Sequence, residues 1–227
     1  MLKDNVERVL NDIAAGNNYG EKITLVAATK TKDARTINAA IGYGIKVVAE
    51  NRVQEFREKT DLIVGAEQHF IGHLQTNKVK YLVGKVSLIQ SVDSIRLARA
   101  ISEQAEKSGV TQDILLEINA GGEESKSGFS EKEIPLAIKE ISALSHICVK
   151  GFMAMMPVSD NEKFLAGLFD KMRDLYDGLK EAYRLSVLSM GMSEDYRIAV
   201  KHGSNMIRIG SKIFGERNYG EKKDGSI

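Results

Sequence analysis

Ile23-Thr-Leu-Val-Ala-Ala-Thr-Lys30, followed by Thr31-Lys32, is a short apolar, β-branched run that ends abruptly in a lysine. Helical spacing takes over at once in residues 34–41, with Asp33 placed to cap and Gly42 to stop the helix. A buried strand feeding a helix through a short polar loop is the repeating unit of parallel α/β folds, which gather their chemistry at strand C-termini. Lys30 stands at such an end. An amine held there between apolar walls loses its proton more readily and can form a Schiff base. Alone, the stretch favours the plainer reading, a surface lysine closing a strand.

The same alternation continues in both directions. Residues 2–15 read as a leading helix, with Leu2, Val6, Val9, Leu10 and Ile13 at helical spacing and Gly16 as a stop. After the first strand (23–29) come apolar strand patterns at 45–49, 69–74, 86–90, 113–119, 148–155, 187–190 and 206–209. Helical patterns separate them: 52–60, a short one at 76–83, 94–107, 130–144, the long 161–185, and 195–201, with a last short segment at 211–214. Ser130 with Glu133 has the spacing of a capping box, Pro135 falls in the tolerated first turn, and Ser193 is placed to cap the 195–201 helix. Eight strands alternating with helices predict a single (β/α)8 TIM barrel with an extra N-terminal helix. An open doubly wound sheet is the competing architecture. The expected domain is the whole of 1–227, with 1–20 and the charged tail 219–227 peripheral.

Composition narrows the function classes. The chain has 227 residues, 43% hydrophobic and 28% charged, an ordinary balance for a globular domain with a real core. Thirty-two Lys+Arg against 31 Asp+Glu leave a net charge of +1, which gives no electrostatic footprint for nucleic acid or an anionic membrane. One cysteine, Cys148, excludes an internal disulfide and suits a reducing compartment. Residues 1–20 lack a signal-peptide core, and no apolar run nears the roughly 18 residues that span a bilayer. The expected location is the cytoplasm. His69 and His73 are not spaced or accompanied as a metal pair would be.

The strand ends collect Lys30, Glu50-Asn51, Ser91, Asp93, Asn119, Met155, Ser193 and Gly210-Ser211. Asp93, Ser193 and Asn51 have a plainer reading as helix caps, and Met153 and Met155 as core filler. Two features resist such readings. Gly191-Met-Ser193 and Gly210-Ser211 each open a helix directly after a strand, the arrangement whose backbone N–H groups cradle phosphate, with two ordinary capped turns as the alternative. Arg208 lies inside the strand Met206-Ile-Arg-Ile-Gly210, on the face of Met206 and opposite Ile207 and Ile209. A guanidinium there must find partners, either a carboxylate such as Glu117 or a heteroaromatic nitrogen of a bound cofactor. An amine, a phosphate cup and a planar donor around one barrel mouth describe a pyridoxal 5′-phosphate (PLP) site.

Over nearly its whole length, from about Ile23 to Tyr219, the chain resembles the pyridoxal phosphate homeostasis proteins, which are built like the barrel half of alanine racemase. The resemblance rests on Val26-Ala-Ala-Thr-Lys30-Thr-Lys, Glu50-Asn51-Arg-Val-Gln-Glu55, His69-Phe-Ile-Gly-His-Leu-Gln-Thr-Asn-Lys78, Glu124-Ser-Lys-Ser-Gly128 and Gly151-Phe-Met-Ala-Met-Met-Pro157. Leu188-Ser-Met-Gly-Met-Ser-Glu-Asp195, Gly203-Ser-Asn-Met-Ile-Arg-Ile-Gly210 and Ile213-Phe-Gly-Glu-Arg217 complete it. It implies that Lys30 carries PLP as an internal aldimine, that the phosphate sits among Ser193, Gly210 and Ser211, and that Arg208 faces the pyridine nitrogen. Asn51 would contact the ring side, and Met153 and Ser189 would line the pocket. Thr29 stands where serine is usual, Val48-Ala49 replaces a common Phe-Gly, and His73 replaces a frequent proline.

An arginine at the pyridine nitrogen leaves the ring largely unprotonated and a weak electron sink. Alanine racemase adds a tyrosine base from a separate C-terminal β domain, and this chain is expected to have no such domain. The expected role is therefore not enzymatic: holding PLP, buffering a reactive aldehyde, and serving vitamin B6 and amino/keto acid homeostasis, with transient contact to PLP-dependent apoenzymes. A monomer is expected. The rival expectation is a PLP-dependent amino-acid racemase-like enzyme whose base comes from the barrel itself.

Overall fold

The computed structural model describes residues 1–122 and 127–216. The tail 219–227, Arg217 and residues 124–126 of the Glu124–Gly128 segment lie outside the described residues. The elements run α1 (Leu2–Ile13), β1 (Thr24–Ala28), α2 (Ala34–Gly42), β2 (Val47–Glu50), α3 (Val53–Lys59), β3 (Glu67–Phe70), β4 (Leu88–Val92), α4 (Ile95–Lys107) and β5 (Gln112–Ile118). They continue with α5 (Ile134–Ser142), β6 (Ile147–Ala154), α6 (Glu162–Tyr183), β7 (Val187–Ser189), α7 (Tyr196–Lys201), β8 (Met206–Ile209) and α8 (Ser211–Phe214). All strand pairs are parallel and the sheet closes in chain order, β1 pairing with both β2 and β8. The open sheet is thereby excluded.

Alternation along each strand divides the apolar residues into two sets. Val26, Val47, Ala49, Leu88, Leu115, Met153 and Met206 fill the barrel interior. Outward-facing residues such as Leu25, Ala27, Ile207 and Ile209 pack against the helix layer, where Val6 and Val9 of α1 join them. Burying a Val- or Leu-sized side chain is worth about 1.5–3 kcal/mol, so this double layer dominates the energetics.

Beyond shifts of one or two residues at element ends, such as Leu88–Val92 for 86–90, four local features differ from the sequence expectation. The third strand is Glu67–Phe70 rather than 69–74, because the chain leaves the sheet at Ile71 and passes tightly over Asn51; a Cβ on Gly72 would lie 1.9 Å from the Asn51 carbonyl oxygen. The 76–83 segment is a 3-10 helix, Thr76–Tyr81. Ser130 does not cap α5: Glu133 Oε2 accepts from both Ser130 N and Oγ at 2.8 Å, which forms a turn and delays the helix to Ile134. Ser193 does not cap α7 either. Its Oγ accepts from Gly210 N at 3.3 Å and so bridges to the next loop. Asp33, Ser94 and Asn161 do cap, each accepting a first-turn N–H.

Candidate functional site

Arg208 occupies the centre of the C-terminal half of the barrel. It shares inward parity with Met206, and only 3% of its surface is exposed. Nη1 donates to the Ser189 carbonyl (2.8 Å) and to Ser189 Oγ (2.6 Å), and Nη2 donates to the Ala154 carbonyl (2.9 Å). A guanidinium has five N–H donors, so Nε and one hydrogen of Nη2 remain after these three bonds. Every acceptor is neutral. Of the two partners open to Arg208, the carboxylate of Glu117 makes no contact with it; Glu117 and Asp195 act on Arg208 only through space. Burial lowers the guanidinium pKa to about 10, which still leaves it charged at neutral pH.

Glu117 points the same way from β5, two residues beyond the interior Leu115. It is 6% exposed, and no hydrogen bond or ion pair of its carboxyl is found among the described residues. Burial, then the nearby Asp93 charge, push its pKa up to about 7 against the opposing pull of Arg208 and His73. Asp93 itself pairs with the exposed His73 at 3.2 Å and does not cap α4, which Ser94 caps.

Across the mouth, Lys30 sits two residues past β1, half-buried, in the turn to α2. The next residue, Thr31, has φ +67°, a left-handed backbone that a β-branched residue adopts only under constraint. The constraint is visible. Glu55 Oε2 accepts from Thr31 N at 2.7 Å, and Lys59 Nζ donates to the carbonyls of Thr29 (3.3 Å) and Lys32 (3.0 Å). Lys59 also pairs with Glu50 at 2.6 Å and Glu55 at 3.3 Å, while Thr29 Oγ donates to Glu50 Oε1 at 2.6 Å. The Lys30 turn is therefore tied to α3 and β2 by these four hydrogen bonds. Burial raises the Glu50 pKa, and the Lys59 and Thr29 hydrogen bonds pull it the other way. Glu50 Oε2 and Asn51 Oδ1 are buried without a hydrogen-bond partner. Asn51 is no cap, since Arg52 holds that position in α3 and makes no side-chain bond.

The loops after β7 and β8 meet through the Ser193–Gly210 bond and through Arg208 N donating to the Gly191 carbonyl at 3.0 Å. Gly191 has φ +93°, and a Cβ there would stand 2.7 Å from Ala199 Cβ, so only glycine lets this loop lie against α7. Ser193 is buried and Ser211 is exposed at the start of α8. Met153 and Ser189 are register partners on β6 and β7 with both side chains buried.

The residues singled out in sequence thus share one end of the barrel. Ser189 touches Arg208, Ser193 touches Gly210, Val26 of β1 pairs with Arg208 of β8, and Ala28 pairs with Ala49 ahead of Asn51. Sequence reading passed over the Lys59 clamp and Gln90. A Glu55/Lys59 pair one helical turn apart and a glutamine within an apolar strand were the available signals.

Comparison with known proteins bears on the family and the fold. The family described as "Alanine racemase, N-terminal domain" matches residues 2–218. A pyridoxal phosphate homeostasis protein of Aquifex aeolicus is 42% identical over 199 residues, covering 86% of this chain and 87% of its own. One from Escherichia coli is 35% identical over 211 residues, covering 89% of both. Among solved structures, PipY of Synechococcus elongatus with PLP bound superposes with a TM-score of 0.82 at 27% identity, covering 95% of this chain and all of that one (100%). Alanine racemase of Clostridium difficile shares the fold at 17% identity and TM-score 0.77, with this chain spanning 60% of its length.

Proposed function

The chain belongs to the family of pyridoxal phosphate homeostasis proteins, and from that premise we propose that it binds PLP reversibly, held covalently through the Lys30 amine. When bound, PLP supplies an aldehyde that condenses with a primary amine and a ring able to take up electrons from an attached carbon. The chain's own residues suit such a ligand. Lys30 lies in a turn held by Lys59 and Glu55, so the backbone that carries its amine would not have to be ordered on binding an aldehyde. Ser193, Gly210 and Ser211 would form the small-residue rim for the phosphate, and Arg208 would offer its remaining donors to the ring nitrogen. Asn51, Met153 and Ser189 line the ring.

The observation that carries this reading is Arg208: a buried cation bonded only to neutral acceptors, with donors to spare. Such a group favours an anionic, planar, hydrogen-bond-accepting partner. It also bears on chemistry. A donor that does not give up its proton leaves the ring nitrogen unprotonated and the electron sink weak, so holding and releasing PLP, rather than turning over amino acids, is the role proposed. It extends to vitamin B6 and amino/keto acid homeostasis in the cytoplasm, as a monomer in transient contact with PLP-dependent apoenzymes. No helix among the described residues is long and apolar enough to cross a membrane.

A second reading, a racemase-like enzyme, is favoured by Glu117, a buried carboxyl with a pKa of about 7 at the same mouth. Two measurements decide. Protein loaded with PLP and reduced with borohydride should carry the label on Lys30, and a Lys30→Ala protein that retains covalent cofactor at the same site refutes the assignment. Chiral analysis after incubation with single L-amino acids should show no turnover; rates on the order of 1 s⁻¹ favour the enzyme.

A further inference from the structure

Behind Arg208, buried polar side chains form a file that runs through the barrel. Arg208 Nη1 donates to Ser189 Oγ (2.6 Å), Ser189 Oγ donates to Gln90 Oε1 (2.7 Å), and Gln90 Nε2 lies 3.0 Å from His69 Nδ1. None of the four is more than 4% exposed. The file starts at the C-terminal mouth and ends at a cavity of about 550 Å³ at the N-terminal mouth, which His69 and Glu67 line.

Its direction follows from the donor inventory. A guanidinium only donates, so Ser189 Oγ accepts from Arg208 and passes its own hydrogen to Gln90 Oε1. Gln90 then presents an N–H to His69 Nδ1, which must be bare. The ring proton lies on Nε2, facing the Glu67 carboxylate 3.8 Å away. Flipping Gln90 would take away the acceptor for the Ser189 hydrogen and turn the amide oxygen onto Met206 Sδ, to which Gln90 Nε2 donates at 3.3 Å. It would also force a proton onto Nδ1 and turn a bare Nε2 towards that carboxylate. Burial holds the His69 pKa down at about 4, so the ring is neutral at pH 7.

No carboxylate enters the file until Glu67, whose side chain is 68% exposed at its far end. Arg208 is therefore hydrogen-bonded from behind without being neutralised. We propose that Gln90 is a positioning residue for Arg208: it fixes the Ser189 hydroxyl that orients the guanidinium and, as an amide, leaves the positive charge to an anionic ligand in the C-terminal mouth. The identity of that ligand rests on the PLP reading above; the direction of the file does not.

Two near-isosteric variants separate this role from a merely structural one. Gln90→Glu keeps the acceptor for Ser189 but adds a charge, whereas Gln90→Met loses the amide's hydrogen bonds with Ser189, His69 and Met206 Sδ and adds none. A structural role makes Met the worse substitution in every measurement. The proposal expects Met to lower the melting temperature more, yet Glu to weaken PLP binding more, by about tenfold or greater relative to the wild type (1.4 kcal/mol). The pH profile of the bound cofactor's visible band should move in the Glu variant. PLP affinity that falls further in Met than in Glu overturns the proposal. Should either variant fail to fold, ¹⁵N NMR of the His69 ring in the wild-type protein without PLP decides: Nε2 protonated and Nδ1 bare sustains the file, and a proton on Nδ1 overturns it. A wild-type protein that takes up no PLP sinks the functional reading instead, and the ring-nitrogen result then stands alone.

Discussion

The two mouths of the barrel are built from the same eight strands and treat charge in opposite ways. At the N-terminal mouth the cavity of about 550 Å³ is rimmed by Lys46, Glu67, Asp113 and Lys150. Most of that charge is met locally: Lys150 pairs with Asp113 at 3.4 Å, and Glu67 lies 3.5 Å from Ser87 and 3.8 Å from His69. At the C-terminal mouth the unresolved polarity accumulates. Arg208 has spare donors, the Glu117 carboxyl makes no hydrogen bond or ion pair among the described residues, and Glu50 Oε2 and Asn51 Oδ1 are buried acceptors without hydrogen bonds. Open volume is thus a poor guide to chemistry here, and polar groups left unpaired at a cost of about 1–3 kcal/mol each are a better one.

Four substitutions would break or sharpen that contrast. Arg208→Leu should have the largest effect, a loss of PLP affinity of about 100-fold or more (2.7 kcal/mol) by equilibrium dialysis; retained affinity would mean that the guanidinium is only a strut. Lys59→Met comes next. It strands Glu50, whose side chain is 4% exposed, and frees the Thr31 turn, so chemical denaturation should show about 3–5 kcal/mol lost together with slower covalent capture of PLP by Lys30.

Glu117→Gln should act through pH. The Glu117 pKa is raised from 4.5 to about 7 in the folded state, so the folded protein binds the extra proton. The stability this contributes is full below pH 4.5 and is lost as pH rises through about 7. Gln removes that loss, and the variant should gain on the order of 3 kcal/mol over the wild type at pH 8 and little at pH 4.5. His69 has the opposite sign. Its pKa falls from 6.5 to about 4, so its contribution is full above pH 6.5 and declines as pH falls towards 4. Between about pH 4.5 and 6.5 the two slopes oppose each other, and the wild-type stability curve should be flatter there than that of Glu117→Gln. Lys150→Met, at the quiet mouth, should be the smallest: its partner Asp113 is 38% exposed, so the pair is worth about 0–1 kcal/mol and PLP affinity should not change.

The barrel was legible from periodicity because both layers of its core impose strict patterns: alternation inside the strands and three- and four-residue steps in the helices. Lys30, Arg208 and the two glycine-led loops were legible because each broke such a pattern at a strand end. What stayed hidden was pairing across the sequence. Nothing local in Ser193 distinguishes a helix cap from a bridge to Gly210, and Ser130 has a capping-box spacing yet forms a turn. Gln90 looks like the polar end of a strand until closure sets it between Ser189 and His69. Lys59 looks like an ordinary helix-face charge until β2 brings Glu50 beside it.

Closure in chain order has a kinetic consequence. β1 and β8 are hydrogen-bonded neighbours, so the strands that lead to Lys30 and Arg208 are far apart in sequence and meet only through closure of the barrel. Contacts of such long sequence separation form late and slowly. A ligand gripping both residues would bind only the finished barrel, and would protect the seam between its first and last strands from reopening.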